Sequence, residues 1–188
     1  IRTTCAEASV MLISLTKRET EDEAMEILIN MPKQRASCFQ IIARHGEQNG
    51  MRRLTIASLK IVMHLMKQDA EVPILRHVHI ARRLARKLRR DDMMAWTLVL
   101  RRALELSKQL TPSCTPQVQD QLRAIVRCTA NIFVTESVVF DERIERITFA
   151  ASTVAKRLLE HTRLLSGSSK EEMSYLLDLY FVLTAQSI

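Results

Sequence analysis

The chain has 188 residues, 47% apolar and 26% charged, a balance ordinary for a globular protein and sufficient to bury a core. Three glycines, four prolines and 4% aromatics leave few places for tight hairpins, while abundant Leu, Ala, Met and Arg favour helix, so the fold expected is all-α. The net charge of +7 falls entirely between Arg76 and Lys108, where ten Lys or Arg face three acids, and the remainder balances at eighteen of each sign.

A first helix is expected from about Thr3 to Leu15, with Val10 and Ile13 on its apolar side. Thr20 and Glu23 stand at the spacing of a capping box, which predicts a second helix over 21–30. Pro32 opens a third, ending near Gly46; Gly50 closes a polar turn; and Met51 to Lys67 form a fourth with Leu54, Ile61, Leu65 and neighbouring Met side chains facing inward. The stretch Gln68-Asp69-Ala70-Glu71-Val72-Pro73 breaks the pattern, because proline cannot continue a helix and pushes the residue before it out of helical geometry. Two helical bundle domains joined by a short linker are therefore expected, with residues 1–68, 69–73 and 74–188 as first domain, linker and second domain.

A basic helix should follow the linker, about 17 residues or 25 Å long. At 100° per residue, Arg76, His79, Arg82, Arg83, Arg86, Lys87, Arg89 and Arg90 fall within an arc of roughly 160°, opposite Val78, Ile80, Ala81, Leu84, Ala85 and Leu88. Such a ridge attracts phosphate on nucleic acid or on acidic lipid, although a charged stripe can also be simply a solvated face. Asp91-Asp92 suit the start of a further helix to about Gln109, whose Arg101 and Arg102 would extend the basic surface if it packs beside the ridge. Thr115 and Pro116 read as cap and first residue of a helix over 117–135. Helices over 142–165 and 170–186 complete about nine, with Gly167 ending one and Ser168 or Ser169 starting the next. The echo of Ile42-Ala43-Arg44 in Ile80-Ala81-Arg82 has no third copy and does not make a repeat.

The sequence argues against several function classes. There is no Gly-rich phosphate loop, nucleophile elbow or zinc-protease pattern, so no enzyme and no cofactor are expected. His77 and His79 stand about 200° apart on a helix and cannot jointly grip a metal; His79 is expected to join the basic face. Cys5, Cys38, Cys114 and Cys128 form no CxxC pair and read as reduced thiols, and no metal site is expected. Met93-Met94 beside Trp96 suit core packing better than an adaptable docking surface. No apolar run approaches the roughly 20 residues that span a bilayer, and the start lacks a signal-peptide pattern, so the chain is expected to be soluble or at most peripheral. It opens at Ile1 rather than Met, which predicts a missing or processed N-terminus.

Three sets of residues together carry a resemblance: Arg86-Lys87-Leu88-Arg89-Arg90 early in the second domain, Ala151-Ser152-Thr153-Val154-Ala155-Lys156, and Gly167-Ser168-Ser169 before an acidic helix start. Their order resembles the orthomyxovirus matrix protein family, covering about a sixth of the chain, and the length best suits the shorter members from fish isaviruses. The resemblance implies a structural protein that self-assembles into a shell beneath the viral envelope. It also implies binding to anionic membrane and ribonucleoprotein through Arg86, Lys87, Arg89 and Arg90, and locations in the virion, in host cytoplasm and nucleus, and at the inner face of the plasma membrane. The influenza A member carries a Cys-Cys-His-His cluster that is absent around Cys128, so no zinc role carries over. The expected membrane- or RNA-binding residues are Arg76, Arg82, Arg83, Arg86, Lys87, Arg89, Arg90, Arg101 and Arg102. The expected partners are anionic phospholipid, viral ribonucleoprotein or RNA, and further copies of the chain. An RNA-binding nucleoprotein-like module and a helical-repeat scaffold for an acidic protein remain alternatives.

Overall fold

The computed structural model describes residues 10–32, 35–69, 71–111, 116–134, 141–164 and 170–185. They are all-α, with no strand among them. The chain divides into two compact units, Ile1–Val72 and Pro73–Ile188.

In the first unit, residues 10–16 form the described part of α1, followed by α2 (Glu21–Asn30), α3 (Ala36–Gln48) and α4 (Arg52–Lys67). The part of the first expected helix before residue 10 lies outside the described residues. Phe39, Ile42 and Ala43 of α3 and Leu54, Leu59 and Val62 of α4 are fully buried, and α4 packs on both α3 and α2. The inward stripe of α4 includes Leu54, Met63 and Met66, as expected, but also Thr55, Ser58, Leu59 and Val62, while Ile61 and Leu65 are only half-buried, so the face is rotated toward Thr55. The close approach of α3 explains that rotation. Gly46 sits so near α4 that a Cβ there would lie 2.6 Å from Thr55 Oγ1, and Thr55 must turn inward to fill the contact. The third helix starts at Ala36, four residues beyond Pro32.

Helix α2 begins where the Thr20-Glu23 pattern places it, yet Thr20 makes no side-chain cap bond. Of the three carboxylates in its first turn, Glu21 reaches the backbone of another helix: its Oε1 accepts the backbone N–H of Leu54 at 3.0 Å, satisfying one free donor at the start of α4. Gly50 takes φ +69° in the turn between α3 and α4, a conformation that favours glycine.

The second unit contains α5 (Ile74–Ala85), α6 (Met93–Ser107), α7 (Pro116–Phe133), α8 (Glu142–Leu164) and α9 (Lys170–Ala185). Helix α7 packs between α5 and α9, while α6 packs on α8, giving one layer of α5, α7 and α9 over a second layer of α6 and α8. Trp96, Leu100 and Leu106 of α6, Leu122, Ile125 and Phe133 of α7 and Val154 and Leu158 of α8 fill the space between the layers. Trp96 meets Phe133 edge to face, with ring centroids 5.6 Å apart. Of the Met-Met-Trp group, Trp96 is wholly buried, Met93 half-buried and Met94 exposed. The expected cap at Thr115 and the junction at Gly167, Ser168 and Ser169 lie outside the described residues.

The basic helix is shorter than expected. It stops at Ala85, after 12 residues, so Lys87, Arg89 and Arg90 belong to the connection with α6. Side chains near the start of α6 cause this by offering the backbone other partners. Asp92 Oδ2 accepts the N–H of Arg89 at 2.7 Å, and the Trp96 indole N–H donates to the Arg89 carbonyl at 2.9 Å. Leu88, buried in the middle of the connection, pins it to the core.

Candidate anion-binding surface

Pro73 caps α5, its carbonyl accepting the N–H of Arg76 at 2.9 Å, and the residues that follow alternate between core and water at helical spacing. His77, Val78, Ile80, Ala81, Leu84 and Ala85 are buried; Arg76, His79 and Arg86 are exposed; Arg82 and Arg83 are half-buried along the flanks. The exposed flank therefore carries cations because the opposite side is fully used in packing on α6 and α7.

Helix α7 brings a second set of cations beside the first. Its buried stripe of Val118, Leu122, Ile125, Val126 and Thr129 sets Gln121, Ala124 and Cys128 toward α5 and leaves Arg123 and Arg127 at the surface. Arg82 Nη1 donates to Gln121 Oε1 at 2.9 Å. A hollow of about 350 Å³ lies on the Arg86 side of that bond, lined by Arg82, Arg86, Asp120, Arg123, Arg127 and Cys128, with Tyr175 of α9 among its walls. A shallower and more apolar hollow of about 460 Å³ lies on the other side, between Leu75, Arg76 and His79 of α5 and Gln117 of α7. The early part of α5 thus faces the early part of α7, and the two helices run side by side in the same direction.

The four arginines of the first hollow differ in how their charge is met. Arg123 pairs with Asp120 at 3.5 Å and with Glu172 of α9. Arg82 is held by the neutral amide of Gln121, and its Nε is buried without a hydrogen-bond partner. Arg86 and Arg127 are exposed and have no ion pair among the described residues. The thiol of Cys128 registers both influences: burial pushes it above its ordinary value, against the opposing pull of Arg86, Arg127 and Arg82.

The other cations expected from the sequence are distributed as follows. Arg76 and Arg89 are exposed with no ion pair among the described residues; Arg83, Lys87 and Arg90 are half-buried and partnered. Arg101 is exposed and lies 3.7 Å from Glu105. Arg102 does not extend the basic surface. Its side chain is 15% exposed, bonded through Nη1 to Glu105 at 2.9 Å and through Nη2 to His77 Nδ1 at 2.9 Å. An arginine can only donate, so His77 Nδ1 accepts and this ring is a structural member of the α5–α6 contact.

Sequence reasoning missed Arg123 and Arg127. Their spacing of four residues on an amphipathic helix was the available signal, but their relevance depends on α7 packing beside α5, which no local pattern reveals. Among the described residues no group of His, Cys, Asp and Glu could hold a metal ion, and no helix is long and apolar enough to cross a membrane. Comparison with known proteins finds no match to a protein family, to a curated protein or to a solved structure.

Proposed function

We propose that this protein is a peripheral, self-assembling structural protein of the orthomyxovirus matrix type, which binds anionic membrane and ribonucleoprotein through the basic surface of its second unit. The observation that carries this reading is the set of exposed guanidinium groups on Arg76, Arg86, Arg89 and Arg127 that no carboxylate among the described residues neutralises. The order of motifs around Arg86-Lys87-Leu88-Arg89-Arg90 supports the same reading. Exposed Phe149 on α8 and Phe181 and Val182 on α9 provide apolar surface of the kind that subunit contacts cover.

Each cation near an acidic leaflet contributes about 1 kcal/mol, so four or five contacts supply roughly 5 kcal/mol before ordering costs. A monomer held so weakly would need neighbours. A lattice of copies facing one way converts weak contacts into tight attachment through effective concentration. The viral envelope, with the inner face of the plasma membrane before budding, is the corresponding location.

The test is co-sedimentation of the protein with phosphatidylserine vesicles at salt concentrations of about 0.1 and 0.5 M, beside the triple variant Arg86→Glu, Arg89→Glu, Arg127→Glu. Binding at low salt that disappears at high salt and in the variant is expected, with sedimentation of the free protein reporting self-association. Binding unchanged in the variant would overturn the assignment. A flat salt response would do the same for any reading based on phosphate charge.

A further inference from the structure

We propose that the hollow between α5, α7 and α9 is a discrete site for a compact polyphosphorylated ligand, a cluster of phosphomonoesters such as a phosphorylated inositol, free or as a lipid headgroup. The inference rests on reading this face as anion-binding and names the anion it is built for.

Charge density is the first argument. Arg82, Arg86 and Arg127 bring three cations to one hollow without a carboxylate of their own, while Asp120 and Glu172 occupy Arg123. A phosphodiester or a phosphatidylserine headgroup offers little charge at any one point, so converging cations gain little from it over cations spread along a ridge. A phosphomonoester carries between −1.5 and −2 near neutral pH and three strong acceptor oxygens, and two of them close together would match three guanidinium groups.

Shape is the second. At about 350 Å³ the hollow falls in the range, roughly 300–1,000 Å³, that holds a small molecule rather than a chain segment. Its walls come from three helices, Tyr175 of α9 among them, and the Arg82–Gln121 bond separates it from the apolar hollow further along the groove. Arg123, fixed from both sides by carboxylates, holds α7 and α9 at the spacing that keeps the hollow open.

The test compares Arg127→Gln, which removes a cation of the hollow, with Arg89→Gln, which removes one from the ridge outside it. Isothermal titration with inositol 1,4,5-trisphosphate should give one site per chain, weakened about tenfold or more by Arg127→Gln and less than about threefold by Arg89→Gln. The same ligand should slow alkylation of Cys128, followed by mass spectrometry of its peptide, because the thiol lines the hollow. Vesicles carrying phosphatidylinositol 4,5-bisphosphate, matched in total charge to phosphatidylserine vesicles, identify the source. Preference for the phosphoinositide marks a headgroup site, and binding of the soluble ligand alone marks a free one. Equal losses in the two variants, no binding of the trisphosphate, or its displacement by single-stranded RNA with equal sensitivity to Arg89→Gln and Arg127→Gln would each overturn the proposal. Phosphatidylserine binding that persists alongside such a failure would leave the general membrane reading standing.

Discussion

The indole N–H of Trp96 donates to the carbonyl of Arg89 at 2.9 Å, so a residue in the first turn of α6 helps decide where α5 stops. Trp96→Phe keeps the buried ring beside Phe133 and removes the donor. The expected cost is about 1–2 kcal/mol, read from the urea midpoint, with faster amide exchange across residues 86–92. Exchange confined to its original rate would mean that the connection is held by Leu88 and Asp92 alone.

Arg101 and Arg102 should behave oppositely despite being neighbours. Arg102→Ala deprives His77 and Glu105 of a largely buried partner and should cost about 1–3 kcal/mol with little change in vesicle binding per folded molecule. Arg101→Ala breaks only an exposed contact and should stay within about 0.5 kcal/mol. Thermal unfolding of both variants, paired with co-sedimentation, checks this contrast.

The glycines give a second contrast. Alanine at Gly46 would gain about 1 kcal/mol of helix propensity, yet its Cβ would stand 3.1 Å from the Met51 carbonyl and 3.2 Å from the Thr55 nitrogen, backbone atoms that can yield only by moving α4. A net loss of about 1–3 kcal/mol is expected for Gly46→Ala. Gly50→Ala meets no atom within 4 Å and carries only the strain of φ +69°, about 1 kcal/mol. Denaturant midpoints showing Gly50→Ala as the worse of the two would contradict the close helix approach.

Burial holds the Cys128 thiol above 9.0, so at pH 8 it should alkylate more slowly than an unhindered thiol and its rate should keep climbing as pH passes 9.0. Arg86 lowers that value, so Arg86→Gln should slow the reaction further at fixed pH. The linkage has a definite sign: the unfolded thiol ionises first, so the contribution of this group to stability is intact below 9.0 and declines as pH rises through its folded value. Iodoacetamide kinetics from pH 7 to 10 measure both effects, and faster labelling in Arg86→Gln would contradict the electrostatic account.

Most helix boundaries were legible because they are set locally. Pro116 opens α7, acidic residues start α8 and α9, and Pro73 ends the break before α5. The misreadings share a different cause. Thr20 makes no cap bond; Gly46 lets α3 approach closely enough to turn Thr55 inward; and α5 ends at Ala85 because the side chains of Asp92 and Trp96, three and seven residues beyond Arg89, bond its backbone, a competition that apolar periodicity does not register. The basic face was visible as a periodic run of arginines, but the hollow was not, since most of its walls belong to α7 and α9 and nothing in the spacing of Arg123 and Arg127 reveals what they face.

The bend after Ala85 makes the charged region a blunt corner rather than a rod. Helix α5 is only about 18 Å long, and beyond it Leu88 anchors the chain between outward-pointing Arg86 and Arg89. A phosphorylated ligand of the kind proposed above would therefore meet Arg86 and Arg89 on either side of a fixed point, not on a loose tether.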